Sequence, residues 1–190
     1  MNRTDTKIPE IKIITPKVFG DSRGYFFESW NADKYAEIGI DCRWMQDNES
    51  KSKFGVLRGL HYQTAPYTQA KLVRVIHGAV LDVAVDIRKG SPTFGKYVAV
   101  ELSSENKYQL FVPRGFAHGF VVLSEEAVFA YKCDNKYMPS HERGIAFDDP
   151  AIGVDWKVGL DKYLLSEKDG KNPLLADAEV FDFNTKKYLQ

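Results

Sequence analysis

Cysteine is scarce in this chain: Cys42 and Cys133 are the two it has in 190 residues. That is too few for a disulfide framework, and no CxxC pair offers a zinc or thiol-redox site. Both read as ordinary thiols of a reducing compartment. Long apolar runs are missing as well. None approaches the ~18 residues a membrane span needs. Met1 to Pro9 are polar and charged, without the apolar centre of an export signal. The expectation is a cytoplasmic protein with no membrane partner. There is no excess of one charge, since 26 Lys+Arg balance 26 Asp+Glu. A strongly basic nucleic-acid binder is thereby excluded. No GxGxxG follows a strand, so no nicotinamide cofactor is expected. Linkers, repeats and low-complexity segments are also absent, and the chain reads as one domain over residues 1–190, with a less periodic, more charged tail from about residue 153.

What the chain does have is a period of two. Leu81, Val83, Val85 and Ile87 alternate with Asp82, Ala84, Asp86 and Arg88, the pattern of a strand with one apolar face. Further strands are predicted over Ile11–Ile14, Gly24–Trp30, Lys71–Ile76, Tyr97–Leu102, Gln109–Val112, Phe120–Leu123 and Ala127–Cys133. Glycine- and proline-bearing turns separate them. Many short strands at regular spacing predict an all-β sandwich or barrel. One helix is expected over Asn31–Ile38, with Asn31 as N-cap and Gly39 ending it. Ser140–Gly144 reads as a short turn.

Four histidines can be weighed one by one. His77 precedes Gly78 at a turn and His141 lies in a polar stretch, so both read as solvated surface residues. His61 and His118 sit in glycine-rich, partly apolar strings, Gly55–Gln63 and Pro113–Phe120. Each is either a half-buried histidine satisfied by a backbone carbonyl, or a base or ligand held on a rigid strand.

Pro113-x-Gly115-x-x-His118 resembles the second motif of the cupins, small double-sheet jelly-roll barrels that often hold a metal. Gln63 stands where the first cupin motif has its second histidine, and no Glu follows before Lys71. The surviving donors suit a divalent metal poorly, so none is expected. Longer strings are more specific. Asp21–Glu28, Gly55–Gln63, Gln69–Val75, Asp82–Arg88, Ser91–Gly95, Pro113–Phe120, Tyr131–Cys133 and Ser166–Asp169 occur in one order along most of the chain. Together they resemble the dTDP-4-dehydrorhamnose 3,5-epimerases, the RmlC-like family.

The resemblance implies an isomerase of nucleotide-linked 4-keto-6-deoxyhexoses in dTDP-rhamnose and surface-polysaccharide synthesis. Such an enzyme needs no redox cofactor, because the ketone acidifies its flanking C–H bonds and serves as the electron sink. The reaction asks for a base near neutrality, a group to orient it, an acid on the opposite face and a cation beside the enolate oxygen. By resemblance these are His61, Asp169, Tyr131 and Lys71. Arg23, Arg58 and Lys168 match phosphate and sugar contacts, and Gln46, Asp47 and Asn48 match a nucleotide-binding string. Phe26 and Glu28 match residues that recognise the base, while His118 and Glu142 match further binding positions. In the family the Arg23-to-Glu28 segment reaches into a neighbouring subunit's site, which implies a homodimer with exchanged N-terminal strands. Singly, Tyr131 reads equally as a barrel aromatic, Lys71 as a surface charge and Asp169-Gly170 as a turn. Other readings are a single-centre epimerase, an epimerase of another nucleotide-linked keto sugar, a metal-dependent cupin and a non-catalytic sugar-binding barrel.

Overall fold

Alternating β-branched and aromatic residues pair into ladders over most of the chain, and a computed structural model describes residues 1–159 and 162–189. In chain order the strands are β1 (Asn2–Asp5), β2 (Lys12–Thr15), β3 (Phe19–Asp21), β4 (Gly24–Phe26), β5 (Gln46–Lys53), β6 (Leu57–Gln63), β7 (Lys71–His77) and β8 (Ala79–Asp86). They continue with β9 (Arg88–Lys89), β10 (Tyr97–Ser103), β11 (Gln109–Val112), β12 (Phe116–Val122), β13 (Glu126–Cys133), β14 (Glu142–Gly144) and β15 (Phe181–Asp182). A six-stranded sheet runs β1-β2-β11-β7-β13-β5 and faces a five-stranded sheet, β10-β8-β12-β6-β14. All pairs within these two sheets are antiparallel. This is the double-sheet jelly-roll barrel expected for the chain. Among the described residues no helix is long and apolar enough to cross a membrane.

Three apolar clusters hold the layers together. Inside the barrel, Val73, Val75, Val80, Ala84, Leu110, Phe120 and Phe129 pack between the sheets. Outside the five-stranded sheet, Leu57, Leu60, Leu81, Val83, Val85, Ile87 and Val121 meet Ile152, Trp156 and Leu175 of the C-terminal segment. Each such side chain, fully buried, contributes roughly 1.5–3 kcal/mol. Outside the six-stranded sheet, α1 (Ala32–Glu37) lays Tyr35 against Ile14, Leu72 and Phe111. Asn31 caps this helix by accepting from the Lys34 N–H at 3.1 Å, and Gly39 follows in the left-handed region at φ 80°.

Several expectations need correction. β8 is buried on both faces. Its apolar set points outward under the C-terminal segment, and its second set, Asp82, Ala84 and Asp86, points into the barrel. Gly24–Trp30 is strand only to Phe26, because Tyr25 and Phe26 are exposed with no sheet beneath them. β1, β3, β5, β6, β9, β14 and β15 were not predicted, and Ser140–Gly144, read as a turn, ends in strand β14 (Glu142–Gly144). His77 is exposed, as expected. His141 is instead half-buried: its Nδ1 lies 2.8 Å from Thr64 Oγ1 and its ring packs on Tyr67, because a 3-10 turn over Pro139–His141 folds it inward.

Candidate active site

The two sheets open into a cavity with two lobes, of about 480 and 340 Å³. Three residues line both lobes: His61, Lys71 and Tyr131. Their placement follows from register. On the six-stranded sheet Tyr131 of β13 pairs with Val73 of β7, and Lys71 pairs with Cys133. Lys71 and Tyr131 are thus inward-facing diagonal neighbours, close enough for long side chains to meet; the Lys71 Nζ stands 5.8 Å from the Tyr131 ring centre. On the opposite sheet His61 of β6 pairs with His118 of β12. Glycines permit that close pairing. A Cβ on Gly119 would lie 2.7 Å from the Arg58 carbonyl oxygen, and one on Gly59 would lie 2.6 Å from Gly119 Cα. The register shifts by a bulge just past His118, which aims both imidazoles into the barrel.

Asp169 arrives from a distance of 108 residues along the chain. Leu164 bridges to Val56 in parallel, and its N–H donates to the Gly55 carbonyl at 2.8 Å while its own carbonyl accepts from the Leu57 N–H at 3.1 Å. The next residues turn back over His61. A 3-10 turn, Asp169–Lys171, is held by the Asp169 N–H donating to Ser166 Oγ at 3.1 Å. Asp169 Oδ1 then sits 2.5 Å from His61 Nε2. The residue is both a turn and a carboxylate partner. Burial opposes its ionisation, but the His61 hydrogen bond and neighbouring charge outweigh that and hold its carboxyl below the ordinary carboxylate range. Tyr131 is pushed the other way, since burial raises its phenol and keeps it protonated. Burial also lowers Lys71 from an ordinary ammonium.

His118 is buried, and its partner is a carboxylate rather than a backbone carbonyl: its Nε2 lies 2.9 and 3.0 Å from the two oxygens of Asp82. Burial lowers its pKa despite that partner. Asp82 was not singled out from the sequence. An acid in the inward set of a strand buried on both faces must have a partner, but the sequence marks only one face of β8 as apolar.

The remaining residues divide by location. Arg58 and Lys168 line the first lobe with His118 and Asp169. Arg58 donates to Ser52 Oγ at 3.2 Å. Gln46, Asn48 and Glu142 line the second lobe, where Gln46 Nε2 donates to Asn48 Oδ1 at 2.8 Å. Glu142 joins the lobes by pairing with Lys168 while accepting from the Tyr137 hydroxyl at 2.6 Å. That bond pushes the Tyr137 phenol up to about 12. Tyr137 is a second residue missed from the sequence; an aromatic following the polar run Asp134–Lys136 was its only mark. Asp47 faces outward from β5, paired with Lys132 at 3.0 Å. Arg23, Phe26 and Glu28 stay on or beside the exposed β3–β4 hairpin, with Arg23 bound to Asp21 and Glu28 to Lys34. These four are not brought into the His61 cavity of their own chain.

Among the described residues no group of three His, Cys, Asp or Glu side chains could hold a metal ion. The Gln63 amide is fully engaged by backbone. Its Nε2 donates to the Tyr67 and Lys136 carbonyls at 2.6 and 3.2 Å, and its Oε1 accepts from the Met138 N–H at 2.6 Å.

A carboxylate-paired imidazole on one wall and a protonated phenol on the other can take a proton from one face of a carbon and return one to the opposite face. An ammonium between them suits an oxyanion. Fold and site together define an isomerase of the racemase–epimerase class. A family model for dTDP-4-dehydrorhamnose 3,5-epimerase matches residues 5–177. The chain is 55% identical to the dTDP-4-dehydrorhamnose 3,5-epimerase of Shigella flexneri over 182 residues, covering 95% of this chain and 99% of that one. The crystal structure of RmlC, a dTDP-6-deoxy-D-glucose-3,5-epimerase from Legionella pneumophila in complex with dTDP-4-keto-L-rhamnose, matches with a TM-score of 0.92 at 52% identity, over 96% of this chain and 98% of that one. ChmJ, a 3'-monoepimerase from Streptomyces bikiniensis in complex with dTDP-quinovose, matches with a TM-score of 0.89 at 30% identity, over 98% and 99% of the two chains. The chain belongs to the dTDP-4-dehydrorhamnose 3,5-epimerase family.

Proposed function

We propose that His61 and Tyr131 are the base and acid of a double epimerisation. The reaction inverts C3 and C5 of dTDP-4-dehydro-6-deoxy-D-glucose, giving dTDP-4-dehydro-L-rhamnose. His61 takes the proton next to the 4-keto group, and Asp169 fixes the ring and stabilises the imidazolium. Lys71 offsets the charge that develops on O4, and Tyr131 returns a proton to the far face. The observation that carries this reading is the trio common to both lobes: His61, backed by Asp169 at 2.5 Å, opposite Tyr131, with Lys71 beside it.

Arg58, His118 and Lys168 hold the sugar and pyrophosphate, while Gln46, Asn48 and Glu142 in the other lobe hold the nucleoside. The 190 residues act as one epimerase domain, and two chains pair. Pairing is supported by exposed Phe19, Tyr25 and Phe26 on a hairpin whose strands bond only to each other. A second support is the open hollow of about 330 Å³ on the outer face of the six-stranded sheet, lined by Leu72, Arg74, Ile76 and Lys132. Arg23, Phe26, Glu28 and Asp47 then serve the nucleotide across that interface. The two free cysteines support a reducing, cytoplasmic setting.

The test is proton NMR of dTDP-4-dehydro-6-deoxy-D-glucose in deuterated water. Wild type is expected to lose signal at C3 and C5 with conversion to the rhamno product, and a folded His61→Ala protein to show neither. Exchange at one carbon alone would replace this reading with a single-centre epimerase.

A further inference from the structure

Two inversions in one binding event pose a bookkeeping problem for protons. In the first, His61 removes a proton, the C–H pair enters the enolate, and the Tyr131 O–H delivers its proton to the other face as the ketone re-forms. His61 is left as imidazolium and Tyr131 as phenolate. The second inversion needs neutral His61 and protonated Tyr131 again. With the sugar ring between the two walls, His61 and Tyr131 do not exchange protons directly across it.

We propose that Lys71 carries the proton that resets this pair between the two inversions. The idea rests on the assignment of His61 as base and Tyr131 as acid. The Lys71 ammonium gives a proton to the Tyr131 phenolate oxygen, breaking one N–H bond and forming O–H. The resulting amine takes the proton from the His61 imidazolium. All three groups return to their starting charges, with no other reactant consumed.

Geometry favours Lys71 over its neighbours. It shares both lobes with His61 and Tyr131. It stands beside Tyr131 on one sheet and lines both lobes with His61 of the other, so its long side chain reaches from one to the other along the O4 edge of the sugar rather than through the ring. Among the described residues neither the Lys71 ammonium nor the Tyr131 hydroxyl has a hydrogen-bond or ion-pair partner, so the transfer breaks neither kind of bond. Lys168, the other lobe lysine, is held by Glu142. Burial lowers Lys71 and raises Tyr131, and both shifts favour transfer from ammonium to phenolate.

The experiment is a single turnover with enzyme in excess in deuterated water, following C3, C5 and the singly inverted sugar by NMR. Lys71→Arg keeps the cation near O4 but cannot release a proton. It is expected to exchange the first carbon within about tenfold of wild type and to slow the second at least about a hundredfold, so that singly inverted sugar accumulates. Methylamine, but not guanidinium, is expected to restore the second inversion to Lys71→Ala. Equal slowing of both carbons in Lys71→Arg, or rescue of Lys71→Ala by guanidinium as effective as by methylamine, overturns the relay. Failure of the underlying reading shows elsewhere, as solvent deuterium still entering the sugar with a folded His61→Ala protein.

Discussion

Replacing Asp169 with Asn removes one negative charge and little volume, at a residue only 5% exposed. The wild-type carboxylate sits 2.5 Å from His61 Nε2 and gains strength as the imidazole takes a proton, because the pair then becomes ionic. Hydrogen bonds to charged groups are worth roughly 1.5–3 kcal/mol. At about 1.4 kcal/mol per factor of ten, that predicts a fall of roughly ten- to 150-fold in kcat from lost transition-state stabilisation. An amide also presents an N–H where the carboxylate presented an acceptor, so part of the protein holds the imidazole in the wrong tautomer and the upper end of that range is expected. KM should change little, since the dyad strengthens in the transition state rather than on binding. The assay is initial deuterium wash-in at C3 and C5 under saturating substrate, with thermal unfolding as a check on the fold. A variant that folds normally and exchanges within twofold of the wild-type rate would refute the dyad.

Tyr131→Phe removes the phenol without altering the barrel wall. It is expected to slow reprotonation and release singly inverted sugar, and unchanged rates and products by NMR would dismiss it as the acid. Asp86→Asn tests the structure rather than the chemistry. Asp86 is fully buried and accepts from Arg88, Ser91 and Thr93, so burial, which opposes its charge, is outweighed and its carboxyl sits below the ordinary range. Breaking one partner of a buried pair costs about 3–5 kcal/mol, or about 6–20 °C in Tm for a chain of this size. Because the folded pKa is the lower one, this stability is present above the unfolded value of about 4 and is lost as pH falls through the folded value. The gap in Tm between wild type and variant should therefore be wide near pH 7 and narrow at about pH 3; a gap that does not narrow would exclude the linkage.

Legibility in the sequence followed burial. β11 was predicted to the residue because all four of its side chains are buried, and α1 because Asn31 and Gly39 mark both ends. β5 was invisible for a physical reason. Its inward residues Gln46, Asn48, Ser50 and Ser52 are polar, since part of that face lines the cavity instead of apolar core. β6 was obscured by the glycine that lets it approach β12, and β1 by its exposure at a sheet edge. For the site, strings of residues pointed to His61, Lys71, Tyr131 and Asp169, yet no spacing could show that Asp169 turns back over His61. That contact depends on Leu164 docking beside β6, a tertiary event without a local signature. Asp82 was misread by the opposite error: its strand looked half-solvated because the cover on its outer face comes from residues more than 60 positions later.

That same cover has a consequence for assembly in time. The strands of the barrel are complete by Gly144, and His61, Tyr131 and Lys71 all belong to them. Asp169, the carboxylate partner of His61, does not. As the chain leaves the ribosome, a barrel can close before residue 169 exists, with its imidazole in place but unbacked. Docking of Ile152, Trp156 and Leu175 on the outer sheet seals the apolar surface, and the same segment brings Asp169 to His61, so cover and carboxylate arrive together. A chain clipped ahead of Ile152 would lose both at one stroke, and its apolar outer sheet would stand bare.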